Sequence, residues 1–422
     1  MLKVLDVMVL VALALAFVRP YRGASWFGRI ERGLRSVARR RWQAIYVAAC
    51  FPLIVRALML PWYPPPPPQI HDEFSYLLQA DTFAHGRVTN PTPAFWEHFE
   101  TEYTLFQPSY ASQYQPAQGL ILAAGQLLFH HPWWGVWLSV GLMCGVFCWA
   151  LGYVVPPAWA LTGALGAALQ TGIFGLWMNS YFGGAVAAAA GALVLGSLAR
   201  MKRTGRAASS GALCALGIVL LFASRPVEGV IWSGVACAWV LVETFRRRAV
   251  EGEGEATEEL VGLAQGRSFR ESAFMRESWP GHRDGRDYFG SPEFGAVGRE
   301  APHNYRKALA PFLLIFLTGA AGLAWYNWRV TGNPFDPPYL AYRRIYGTPQ
   351  PYWWQPPLHV ERFRYPELRN NYLNQLHLYE DRYSLAEMAD AERSRLSNFW
   401  RFFVGPFFSP ALIFLFYLRR DR

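Results

Sequence analysis

The sequence predicts an all-α polytopic membrane protein, a bundle of about nine to ten transmembrane helices with a large first extracytoplasmic loop that carries interfacial helices. Three observations predict it. Of 422 residues, 52% are hydrophobic and only 17% charged, where a soluble protein carries about 25% charged residues. The apolar residues fall in long runs separated by short arginine-rich breaks. The charge is also segregated along the chain. Residues 19–42 hold eight arginines against Glu31, whereas residues 62–116 hold Asp72, Glu73, Asp81, Glu97, Glu100 and Glu102 against Arg87 alone.

Taken in order, residues 2–18 form the first apolar run. It ends in "RPYRG" without a small-residue cleavage site, and the positive charge follows it, so it reads as an anchor and not a signal peptide. The second span covers about 43–61, and the acidic loop 62–116 follows. Apolar runs then lie near 117–131, 133–153, 157–177, 182–199, 210–224, 228–245, 308–327 and 399–418. Basic clusters at Arg200–Arg206, Arg246–Arg248 and Arg419–Arg422 mark the cytoplasmic ends, and the acidic loop faces outward. Residues 249–305 are hydrophilic and rich in Gly, Glu and Arg, and read as a flexible cytoplasmic insertion. Parity leaves one inconsistency. Three runs separate two outer points, at 116 and 182, so either 117–131 or 157–177 does not cross. The run 117–131 is shorter than the roughly 20 residues a span needs.

The arginines flank apolar spans and form no stripe, so the net charge of +10 reports membrane topology and not nucleic-acid binding. All five cysteines, Cys50, Cys144, Cys148, Cys214 and Cys237, lie in apolar segments, where neither a disulfide framework nor a metal site is expected. No P-loop, HExxH, GxSxG or C-x-x-C motif is present. The sequence therefore specifies no cofactor, and it leaves a divalent metal open.

Parity places four polar stretches at one face: "HDEFSYLL" (71–78), "NSYFGG" (179–184), "SRPVEG" (224–229) and "YNWRVTGNPFDPPY" (326–339). Asp72 and Glu73 head an apolar pattern of Phe74, Tyr76, Leu77, Leu78, Ala80, Phe83 and Ala84 at helical spacing, which predicts a helix along the interface. A carboxylate so anchored can take a proton from a hydroxyl; a solvated acid pair is the plainer alternative. His71 is a candidate hydrogen-bond partner or ligand, although a lone histidine is more often neither. Arg225 and Arg329 end apolar runs and suit either a phosphate contact or a snorkelling anchor. Glu228 can pair with Arg225. Arg343 and Arg344 in "YLAYRRIYG" are candidates for an anionic headgroup, and Asn179 and Tyr181 are minor substrate candidates beside a helix-packing reading. The stretch "PQPYWWQPP" (349–357) could stack on sugar rings or anchor at the interface.

The layout resembles the GT-C class of integral membrane glycosyltransferases, which includes protein O-mannosyltransferases and lipid A aminoarabinose transferases. The resemblance rests on "HDEFSYLLQADTFAHG" directly after an early span and on the proline-led "QYQPAQGLILAAGQLLF" at 113–129, and it covers most of 43–345. It implies an inverting transfer of a sugar from a polyprenyl-phosphate donor to a lipid, glycan or protein acceptor at the outer face of a bacterial inner membrane. It implies Asp72 as general base with Glu73 beside it, and an arginine, Arg225 or then Arg329, on the lipid phosphate. The chain departs from the class in the insertion 249–305 and in its short late portion. The resulting organisation is an anchor and basic loop (1–42), a GT-C-like core (43–248) with its outer loop 62–116, the insertion 249–305, and late helices 306–422 with an outer segment 328–398. A transporter or flippase of a lipid-linked glycan is the alternative. It would need polar groups at mid-membrane, and the spans here are nearly clean.

Overall fold

A computed structural model describes residues 24–240, 306–347, 363–380 and 385–405, with isolated positions at 11, 242, 243 and 355. The expected anchor 2–18, the insertion 249–305, nearly all of the aromatic stretch 349–357 and most of the run 399–418 lie outside these residues. The described chain is mostly helical, with one two-stranded antiparallel sheet. Four described helices are long and apolar enough to cross a membrane: α2 (Arg41–Met59), α5 (Trp133–Leu151), α7 (Gly184–Thr204) and α10 (Arg306–Thr331). Three shorter apolar helices, α4 (Pro116–Phe129), α8 (Ala207–Phe222) and α9 (Pro226–Val240), accompany them. A helical, membrane-type protein follows, with four helices of spanning length among the described residues where nine to ten spans were expected.

The bundle has two distinguishable ends. At the basic end, α1 (Ala24–Ala38) and the start of α2 pack on α6 (Pro157–Ala167), and Lys202 donates to the buried Glu243 at 2.6 Å. At the opposite end, the exit from α2, the loop after α6 and the turn after α8 converge. Buried Arg56, near the end of α2, donates to the carbonyls of Tyr63 (2.6 Å) and Pro64 (3.2 Å), with its guanidinium 4.9 Å from the Trp133 ring. Arg56 thus ties the start of the five-proline segment to α5.

Trp133 also donates through its indole nitrogen to the Met178 carbonyl at 2.9 Å. The start of α5 therefore lies at the same end as the start of α4, whose Ala117 amide bonds the Ala223 carbonyl at 2.8 Å. Hence α4 does not traverse the bundle, and the run 117–131 is the one that breaks parity. The run 157–177 does traverse, as α6 followed by a π-helical turn, Ala168–Ile173. The sequence shows how α4 can double back so closely. A Cβ at Gly135 would collide with the Ile121 carbonyl, so only glycine permits α4 and α5 to cross there.

Over this end lies α3 (His71–Ala84), packed side by side with α4. A Cβ at Gly119 would overlap the Gln79 side chain, so this position too requires glycine. The expected apolar stripe of α3 is only half of its packing. Its buried positions include Glu73, Ser75, Gln79 and Thr82 beside Tyr76 and Ala80, while Phe74 is exposed. Buried donors on this side are bonded: Ser75 Oγ donates to the Tyr103 carbonyl at 2.6 Å, and Gln79 Nε2 donates to the Tyr114 carbonyl and the Tyr326 hydroxyl, both at 2.8 Å, while Gln79 Oε1 has no partner among the described residues. The hairpin β1 (Thr104–Leu105) and β2 (Ala111–Ser112), helix α11 (Pro338–Tyr346) and helix α12 (Pro366–Glu380) complete the cap; α13 (Leu385–Phe399) follows them in the chain. Glu100 accepts hydrogen bonds from Tyr346 (2.8 Å) and Arg364 (3.2 Å), which joins the first loop to the late segment.

Candidate functional site

A cavity of about 720 Å³ opens under this cap, within the range of small-molecule sites, roughly 300–1,000 Å³. Helix α3 contributes Asp72 and Tyr76, the loop and hairpin contribute Tyr103, Gln113 and Tyr114, the turn after α8 contributes Ser224 and Arg225, and the first turn of α9 contributes Glu228. Tyr339, Tyr342 and Arg343 of α11 and Gln375 of α12 also line it. The late segment is thus part of the site and not an appendage to it.

Asp72 sits in the first turn of α3, where the helix dipole favours a negative charge. Its Oδ1 accepts a hydrogen bond from the Tyr114 hydroxyl. The Tyr114 ring stacks on Tyr76 with centroids 4.2 Å apart and an 18° interplanar angle. Burial pushes the phenols of Tyr114 and Tyr76 well above the ordinary range, so both stay protonated at neutral pH. Burial likewise raises the carboxyl of Glu102, opposed by His71 and reinforced by Asp72.

The two cavity arginines differ. Arg225 pairs loosely with Glu228 at 3.5 Å, and both side chains are about half exposed, at 48% and 44%. Arg343 donates one Nη2–H to the Tyr339 hydroxyl at 2.6 Å, with its guanidinium 4.4 Å from that ring. Its Nε and Nη1 are buried and find no partner among the described residues. Desolvation lowers the Arg343 pKa, with Tyr339 opposing. A half-buried cation with two buried, unused donors is an energetically incomplete arrangement, and an anion with at least two oxygens would complete it.

Four expected site residues stand elsewhere. Glu73 is 4% exposed; its Oε2 accepts the Gln69 amide at 2.8 Å and its Oε1 the Tyr181 amide at 3.0 Å. It clamps the proline exit and the loop before α7, and does not face the cavity. Tyr181 serves the same clamp, its hydroxyl donating to the Pro66 carbonyl at 3.0 Å, while its neighbour Phe182 lines the cavity. His71 is exposed at the start of α3 and Arg329 is exposed on α10; neither lines the cavity. Asp72, Arg225, Glu228 and Arg343 do come together. The expected partner of Arg343, Arg344, turns away and pairs with Asp336. Glu73→Gln replaces one carboxylate oxygen by a second donor facing a backbone amide. We expect a loss of about 2–3 kcal/mol of stability, read from thermal unfolding of the purified protein.

Sequence reasoning missed Tyr114, Gln113 and the tyrosine lining. Tyr339, Tyr342 and Arg343 carry a readable signal, since spacing i, i+3, i+4 puts them on one helix face. Tyr114 carries none, because it reaches Asp72 only through the fold of the hairpin.

An apolar groove of about 340 Å³ adjoins the cavity, sharing Gln115 and Pro226 with it. It runs between α8 and α10, past Val219, Phe222, Phe316 and Leu323. Among the described residues no group of three or more His, Cys, Asp or Glu side chains is placed to hold a metal ion. No known protein family matches the chain, nor does any curated protein or solved structure.

Proposed function

We propose that the chain is an inverting membrane glycosyltransferase that moves a sugar from a polyprenyl-phosphate donor to an acceptor at the extracytoplasmic face. The observation that carries this reading is the Asp72 carboxylate sharing a tyrosine-lined cavity with Arg225, its partner Glu228, and Arg343 at one end of an apolar bundle. The aromatic walls suit a sugar ring, and the adjoining groove suits the apolar chain of a lipid carrier.

In this reading Asp72 takes the proton of the acceptor hydroxyl, and the acceptor oxygen forms a bond to the anomeric carbon. The bond from that carbon to the phosphate oxygen breaks, its electron pair leaves with polyprenyl phosphate, and Arg343 and Arg225 hold the departing charge. A single displacement inverts the anomeric centre. The acidic cap faces outward and the Arg200–Arg206 end faces the cytoplasm.

Membranes containing the chain, given radiolabelled polyprenyl-phosphate sugars, should convert donor into free polyprenyl phosphate and labelled acceptor. Translocation of the intact donor across the bilayer without cleavage would replace this reading with a flippase.

A further inference from the structure

We propose that Tyr114 is the positioning residue for Asp72: it holds one carboxylate oxygen in place and leaves the other to face the cavity. The functional weight of this inference rests on the reading of Asp72 as general base; its geometry does not.

Tyr114 is unusually well held. Its ring lies on Tyr76, and its amide bonds Ser112 Oγ at 3.1 Å. Its carbonyl accepts from Gln79 Nε2 at 2.8 Å and from the Tyr326 hydroxyl at 2.9 Å. Those contacts fix the residue to α3, the hairpin and α10 together, so the phenol oxygen cannot move away from Asp72 without breaking one of them. The Gln113 side-chain amide lies against the same hydroxyl, and its Oε1 is buried without a described partner. With the phenol kept protonated by burial, the bond has one polarity: Tyr114 donates and Asp72 accepts.

The consequence for a base is specific. A hydrogen bond from an anchored phenol holds the carboxylate in one orientation. It also selects the oxygen, because among the described residues only Oδ1 is bonded. The other groups that act on Asp72 can be named. His71 precedes it on α3, and Glu102 and Tyr103 face it from the loop. Arg225, Glu228, Tyr342 and Arg343 line the same cavity. None of these bonds Asp72, so removal of the Tyr114 hydroxyl isolates one contribution.

Tyr114→Phe keeps the ring and its stacking and removes only the hydroxyl. The test is the rate of carbodiimide labelling of Asp72 in the purified full chain at one fixed pH, read by mass spectrometry, beside the kinetics of sugar transfer. Labelling should be about five- to tenfold faster once Oδ1 has lost its partner. Turnover should fall about tenfold at neutral pH, with the KM for donor unchanged. Asp72→Glu displaces the carboxyl from the anchored hydroxyl and should label faster in the same way. Unchanged labelling in both variants would overturn the assignment of Tyr114. Labelling does not depend on transfer, so if transfer survived Asp72→Asn while labelling rose in Tyr114→Phe, the enzymatic reading would fall and the positioning would stand.

Discussion

Asp72→Asn should abolish sugar transfer, lowering turnover about 10²–10⁴-fold, the contribution of a positioned general base, while donor affinity stays within a few-fold of the parent. The substitution is close to isosteric, and the site tolerates it structurally. Tyr114 can still donate to the amide oxygen of an asparagine at 72, and Glu73, not Asp72, carries the bonds that hold α3 to its neighbours. Loss of activity in a normally folded protein would therefore report chemistry. The control is Glu73→Gln, one residue away, which should lower stability instead. The pair separates two carboxylates that are adjacent in sequence and opposite in role. Full turnover by Asp72→Asn would remove Asp72 from the mechanism.

That separation shows what the sequence can and cannot say. Consecutive helical residues point about 100° apart, so two adjacent acids cannot both face one cavity. Naming the pair was legible; dividing it required knowing which side of α3 is covered by the loop before α7. The helix itself was legible, since the acids, the apolar spacing and the proline exit all point to a start at His71. Its buried polar side was not, because Ser75, Gln79 and Thr82 become core residues only when the outer loop and α10 supply their partners.

The same limit explains the arginines. An arginine after an apolar run marks a helix end, and Arg225 and Arg329 both satisfy that pattern. In the last turns of α10 the buried positions are Tyr326, Asn327 and Val330, which leaves Arg329 on the outer side. Arg225 falls in the turn after α8, whose backbone meets α4 through Ala223 and Ala117, and that contact carries it to the cavity. Parity alone reduced the non-crossing run to two candidates. Choosing α4 took the anchoring of Trp133 beside Arg56, a contact between residues far apart in the chain.

Arg343→Gln should weaken binding of the polyprenyl-phosphate donor about 30- to 100-fold, the loss expected when a buried charge-assisted contact is removed. Arg225→Ala should weaken it by less than about tenfold, since a half-exposed arginine is screened by water and already shares its charge with Glu228. The order follows from desolvation. Arg343 has been stripped of water at Nε and Nη1 without gaining a described partner, so the cost of burying it is already met in the free protein. An arriving phosphate then gains two strong hydrogen bonds without that penalty, and Tyr339 fixes the plane in which they point. Arg343→Lys should restore only part of the affinity, because an ammonium keeps the charge and loses the planar fork. Titration of the full chain with polyprenyl phosphate, and separately with inorganic phosphate, reads both parts. The free anion should show the same ranking of variants at much weaker affinity, the difference being the lipid chain in the groove between α8 and α10. If Arg225→Ala proved the more damaging variant, the phosphate would sit at the exposed mouth of the cavity, and Arg343 would be a structural cation of the roof.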